Sequence, residues 1–363
     1  MVRKIETAAV FLLLTLLPTQ LGYHFWPNWS LINGIRVDYL SPTLYLTDVI
    51  IVALVFLHGQ LFKIPKWAII LAVINVAVAA NPPVALYRWG RVYEYYWLYR
   101  YLIANWNWPL LRRGLGLAIG WTATLAVMQL VGQKSVGGWL YWLGERTFSI
   151  TTPGIARVQL AGQLLLRPYA TLPHPNALAG WLLVAGLIDG GWQLIVSLLT
   201  IPLTFSRTVI FLLPFGLWRK SKILALSLSA AAIWLLANLG NPASLPERQL
   251  LNYQALQVIK QAPLFGVGLG NFVYFVPAVR QPVHNIYLLL AAELGLPAAI
   301  LIVVPLLRYV LKVRNFKLQM AYIGVLVTGL FDHYWLTLPQ NLLLLTLLFA
   351  VVKINGNATN SEL

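Results

Sequence analysis

Pro282–Val310, PVHNIYLLLAAELGLPAAILIVVPLLRYV, opens as a polar loop and turns into a long apolar run. At ~1.5 Å of rise per residue such a run matches the ~30 Å of a bilayer's hydrocarbon, so it predicts a membrane-crossing helix over residues 284–311. Two titratable groups interrupt it, His284 at the entrance and Glu293 well inside. Nine residues at about 100° each place Glu293 half a turn out of phase with His284 and ~13 Å deeper, so the two cannot form a dyad. His284 is a candidate base, since a neutral imidazole can accept a hydroxyl proton near pH 7. Glu293 is expected to tie its helix to a neighbour.

The rest of the chain extends the pattern. Of its 363 residues 59% are hydrophobic and 10% charged, and the mean hydropathy is +0.73. That leaves too little polar surface to coat a water-soluble domain. The expected fold is all-α and polytopic, with about 12 transmembrane helices. They are placed near 6–22, 44–62, 66–81, 84–106, 113–132, 176–188, 191–204, 207–218, 221–238, 284–311, 317–332 and 337–354. The net charge of +16 fits a positive-inside bias better than nucleic-acid binding. Lys63, Lys66, Arg112, Arg113 and the run from Arg308 to Lys317 fall on one side, and Asp38, Glu145, Glu247 and Asp332 on the other. Three regions follow: membrane helices over 1–132, an outer-face segment over 133–175, and a membrane region over 176–363 with a second outer segment, 239–283. An amphipathic helix is expected at 247–260 in the latter. Between helices 6–22 and 44–62 the reading places only a loop. Cysteine is absent, which excludes thiolate chemistry.

The ten acidic residues are scattered singly, and the histidines lack metal-ligand spacing, so metal-independent chemistry is expected. No GxSxG elbow points to hydrolysis. The remaining candidates are cationic or imidazole. Arg207, in LTFSRTVIFLLPF, begins a short helix that Ser206 would cap, where it either snorkels as an anchor or meets an anion. Arg248 opens the outer amphipathic helix; alone it reads as a solvated surface charge. Arg167 and His174 lie in RPYATLPHPNALAGWLLV, with Asn176 as the expected helix cap and His174 either a loop residue or a substrate contact. Asp332-His333 is the chain's adjacent acid–imidazole pair, which orients a ligand or marks the interface. Gly266, Gly268 and Gly270 suggest a tight turn rather than a nucleotide fold, because no strand precedes them. In helix 84–106, Glu94 is expected to pair with Arg91 or Arg88.

Four pieces in order, PHPNALAGWL, TFSRTVIFLL, ERQLLNYQALQVIKQAPLFGVGLGNF and HNIYLLLAAELGLPAA, resemble the O-antigen ligase and polymerase family of bacterial membrane glycosyltransferases. FDHYWLTLPQN is similar to that family's late helices. The resemblance covers about residues 165–300, and Asn252 stands where many relatives carry Trp. It implies transfer of a glycan from an undecaprenyl-pyrophosphate carrier to a sugar hydroxyl at the outer face of the cytoplasmic membrane. Neither metal nor cofactor is implied. Arg207 and Arg248 would hold the pyrophosphate and His284 would deprotonate the acceptor. Glu293, His174, Arg167, Asp332 and His333 are supporting candidates. The same family includes polysaccharide polymerases and enzymes that attach glycans to proteins. A lipid-linked glycan transporter is the alternative from another class.

Overall fold

The computed structural model describes residues 2–160, 162–217, 221–237 and 244–357, and 67% of it is helical. The helices in chain order are α1 Val2–Thr15, α2 Leu46–His58, α3 Lys66–Ala77, α4 Pro82–Ala104 and α5 Trp108–Gly132, then α6 Pro175–Asp189, α7 Gly191–Thr200, α8 Arg207–Leu212 and α9 Lys222–Ala237. They continue with α10 Ser244–Gln261, α11 Ile286–Leu294, α12 Leu296–Val310, α13 Phe316–Gly329, α14 Tyr334–Thr337 and α15 Pro339–Asn357. Helix α6 is the axis of the larger core. Leu178, Trp181, Leu182 and Val184 are fully buried in it, and α5, α7, α13 and α15 pack around it.

The expectation of about twelve membrane spans is corrected. Among the described residues, α5 alone is long and apolar enough to cross a bilayer, judged by length and composition. The other apolar helices run 10–17 residues, so at ~1.5 Å per residue they reach at most ~26 Å. The apolar runs in the sequence overcount because most form helices too short to span, and one of them is broken. The expected helix 284–311 is two helices, divided at Gly295, whose φ of 84° is open to glycine and strained for other residues. Apolar side chains nevertheless cover much of the exterior: Phe56 is 81% exposed, Val131 79% and Leu301 74%.

The all-α expectation is also incomplete. Among the described residues there are three two-stranded antiparallel sheets: β1 Gly22–His24 with β4 Thr43–Tyr45, β2 Leu31–Ile32 with β3 Ile35–Arg36, and β5 Arg157–Leu160 with β6 Gln163–Leu166. The signal for the β2–β3 pair is Asn33-Gly34, whose φ values of 51° and 76° fit the two-residue turn that matches strand twist.

Two tethers position the segment that approaches α6. Glu145 accepts hydrogen bonds from the Gln129 amide and the Val136 and Gly137 N–H groups. Gln129 in turn accepts from the N–H groups of Tyr169 and Ala170. Segment 133–175 is thereby fixed to the end of α5.

Two glycines set the remaining approach. A Cβ at Gly180 would strike the Tyr334 hydroxyl, and one at Gly329 would strike the end of Ile286. Missing side chains at these points let α14 reach α6 and let α13 end beside the start of α11. The Phe331–His333 turn is therefore delivered next to His174 and His284.

Candidate active site

At the start of α6, His174 is the N-cap, and its Nδ1 accepts the Asn176 N–H at 3.1 Å. The expectation that Asn176 caps this helix is corrected. Pro175 takes the first helical position, where its missing N–H costs nothing, and the Asn176 side chain is released for other work. Its Oδ1 accepts from Arg167 Nη2 at 2.7 Å and its Nδ2 donates to Asp332 Oδ2 at 3.2 Å. Asn176 thus links a cation to a buried carboxylate, a role the sequence did not indicate.

His284 lies just outside α11 rather than in its first turn. The cap is Asn285, whose Oδ1 accepts from the N–H groups of Tyr287 and Leu288 and whose Nδ2 donates to the Leu330 carbonyl. His284 Nδ1 faces Asp332 Oδ1 at 3.5 Å, longer than a formed hydrogen bond, as catalytic contacts often are before substrate arrives. The same Asp332 oxygen accepts the His333 N–H at 2.9 Å. The His284 and His333 rings lie 5.0 Å apart, and His333 Nδ1 is engaged with the Thr337 hydroxyl at 2.8 Å.

Three arginines flank this group. Arg167 is held by the Thr204 carbonyl at 2.8 Å and by Asn176. Arg248 donates to the Phe331 carbonyl at 2.9 Å, one residue before Asp332. Arg207 is exposed at the start of α8; Ser206 occupies the N-cap position there without a capping bond. Burial pulls the Arg167 guanidinium down to about 10; the charges of Arg207 and Arg248 act the same way, against Tyr169 and Asp332. Three cations close enough to oppose one another are costly unless an anion joins them.

The carboxylate is set differently. Burial alone would push Asp332 up, but the approach of His284 and the fields of His333 and His174 outweigh it. They hold the acid well below the usual carboxylate range. Loss of water lowers the His333 imidazole to about 4 despite the attraction of Asp332. Crowding by the chain lowers His174 as well, although part of that residue stays accessible.

The structure therefore gathers Arg167, His174, Arg207, Arg248, His284, Asp332 and His333 from five separate segments. Glu293 stays apart from them. Its carboxylate accepts from the Tyr39 hydroxyl at 3.1 Å and the Phe272 N–H at 3.2 Å. Its backbone carbonyl accepts from Asn75 Nδ2 at 2.8 Å and the Gly268 N–H at 3.1 Å. Glu293 pins the glycine-rich turn 266–270 against the α11–α12 break. Phe272 beside that turn is fully buried, whereas Phe265 is 46% exposed. In α4, Glu94 pairs with Arg91 at 2.6 Å, and Asp48 shares the same guanidinium.

His284, Asp332 and His333 each bring one ligand atom within 4.8 Å of the others, close enough for a cation. The spacing in the sequence gave no sign of this, because 48 residues separate His284 from Asp332. The bonds already made by Asp332 and by His333 Nδ1, and the three nearby arginines, suit an orienting pair better than a divalent metal.

A second feature adjoins the cluster. An apolar cavity of about 700 Å³ is lined by Ile286, Tyr287, Trp335 and Leu336, which follow His284 and His333 in the chain, and extends to Trp67, Leu306, Arg88 and Glu293; the cluster's own side chains do not line it. No protein-family model matches the chain, and no curated protein is detectably similar to it.

Proposed function

We propose that the chain transfers a glycan from a polyprenyl-pyrophosphate carrier to an acceptor hydroxyl, at the outer face of the cytoplasmic membrane. The observation that carries the reading is an imidazole–carboxylate pair, His284 and Asp332, surrounded by Arg167, Arg207 and Arg248, with an apolar cavity whose wall includes Ile286 and Trp335, each two residues along the chain from a histidine of the cluster. With Nδ1 turned to Asp332, the free Nε2 of His284 is the acceptor for a proton. It takes the hydrogen of the acceptor hydroxyl as that oxygen bonds to the anomeric carbon. The bond from that carbon to the diphosphate breaks, and its electron pair leaves with the polyprenyl diphosphate. Arginines suit this departure because their forks remain charged and bind two oxygens at once. The cavity and the exposed apolar exterior fit an isoprenoid donor reaching the site from a lipid surface.

The test is transfer by the purified full chain from a synthetic polyprenyl-diphosphate oligosaccharide, with His284→Ala alongside. Turnover by the native protein in excess EDTA, abolished in the folded variant, is the expected result. Near-normal transfer by His284→Ala would sink the mechanism. The placement of His284, Asp332 and His333 favours one second reading, a divalent cation held by those three, and strict dependence on added metal would select it.

A further inference from the structure

We propose that the polar cavity bordered by His333 is the subsite for the acceptor's sugar, with Gln340 as the residue that orients it; the proposal rests on the transferase reading above. The cavity holds about 340 Å³, within the ~300–1,000 Å³ of small-molecule sites. Its wall includes His24, Asp38, Tyr45, Arg146, His333 and Gln340. Gln340, in the first turn of α15, is 1% exposed, and neither polar atom of its amide has a hydrogen-bond partner. An amide left bare inside a protein is costly unless a ligand engages it. It both donates and accepts, as neighbouring hydroxyls of a sugar do. Tyr87 and Tyr141 also line it, aromatic side chains of the kind that pack against a pyranose.

Charge distinguishes this cavity from the donor side. Asp38 and Glu145 line it with Arg88, Arg91 and Arg146, and Arg91 is already paired with Asp48 and Glu94, so the remaining acids and arginines balance, which fits a neutral polar ligand rather than a diphosphate. Arg167, Arg207 and Arg248 do not line it, whereas His333, 5.0 Å from the His284 ring, does. A sugar seated here borders His333, the neighbour of the base, in a wall that contains none of the three arginines.

Binding can be read without turnover. The purified full chain is applied to a printed array of bacterial surface oligosaccharides, with Gln340→Leu, Tyr141→Ala and Arg207→Ala in parallel. Tyr141 is 55% exposed, so its truncation spares the fold and keeps the test decisive if Gln340→Leu does not fold. The native chain is expected to bind at least one oligosaccharide. Gln340→Leu should weaken it about tenfold and Tyr141→Ala several-fold, with Arg207→Ala unchanged. The proposal is overturned if the native chain binds none, if both cavity variants bind as the native does, or if Arg207→Ala loses binding equally, which would assign the sugar to the donor. Failure of the transferase reading looks different: binding persists while no product forms from the polyprenyl-diphosphate donor.

Discussion

Asp332→Asn removes one charge and almost no volume, so it isolates what the carboxylate does for His284. In the native protein Asp332 is 8% exposed and sits 3.5 Å from His284 Nδ1. When His284 takes the acceptor's proton it becomes a cation facing that anion. At an effective dielectric of ~20 and this distance, the attraction is about 5 kcal/mol. Loss of that stabilisation, at ~1.4 kcal/mol per decade, lowers kcat by roughly 10³-fold. The amide also cannot satisfy both neighbours. It must present NH₂ either to Asn176 Nδ2 or to the His333 N–H, each a donor already, so a modest loss of stability of about 1–2 kcal/mol is expected besides. The assay is initial-rate transfer at saturating donor, with donor KM and thermal midpoint measured on the same preparation. Expected is a collapse of kcat with donor KM within about threefold of native. A kcat within tenfold of native, in a folded variant, would refute Asp332 as the partner of His284. A rise in donor KM at constant kcat would place it instead with the arginines.

Three further outcomes follow from the same contacts. Because His333 is held at about 4 when folded and titrates near 6.5 when unfolded, the unfolded chain binds the extra proton between those values. Stability should therefore fall as pH drops from about 6.5 to 4, by at most about 3 kcal/mol from this group, read as a declining thermal midpoint in detergent; a midpoint flat across that window contradicts the assignment. Glu293→Ala strips the acceptor from Tyr39 and Phe272 inside the core and should cost about 2–4 kcal/mol, while Glu293→Gln retains turnover within a few-fold; a selective loss of kcat in Glu293→Gln would return this residue to the chemistry. Gly180→Ala forces Tyr334 away from α6 and should cost about 1–3 kcal/mol, with a fall in kcat as the Asp332–His333 turn moves; unaltered turnover and melting would show that this close approach does not position the site.

Several features were legible in the sequence because they depend on local patterns. The apolar runs and their proline and glycine punctuation locate most helices to within a few residues, and helix geometry alone separates Glu293 from His284. Residue chemistry nominates His284 and the arginines. Chain tracing in one dimension does not reveal where an apolar run breaks. Gly295-Leu296-Pro297 reads as part of one long helix until Asn75 and Glu293 are seen to clamp the glycine turn onto that break. That break removes one expected span, and the others are lost because the apolar helices run only 10–17 residues.

The sequence by itself determined the helical character, the excess of apolar surface and the identity of the chemically capable residues, since each follows from composition and short-range spacing. Tertiary structure decided which of them meet. Asp332 becomes the partner of His284 because Gly180 and Gly329 let four helices approach closely enough to bring residues 48 apart within 3.5 Å. Asn176 becomes a bridge because Pro175 and the His174 ring relieve it of capping. Such contacts depend on the absence of a side chain somewhere else in the chain, and no local pattern around His284 encodes that.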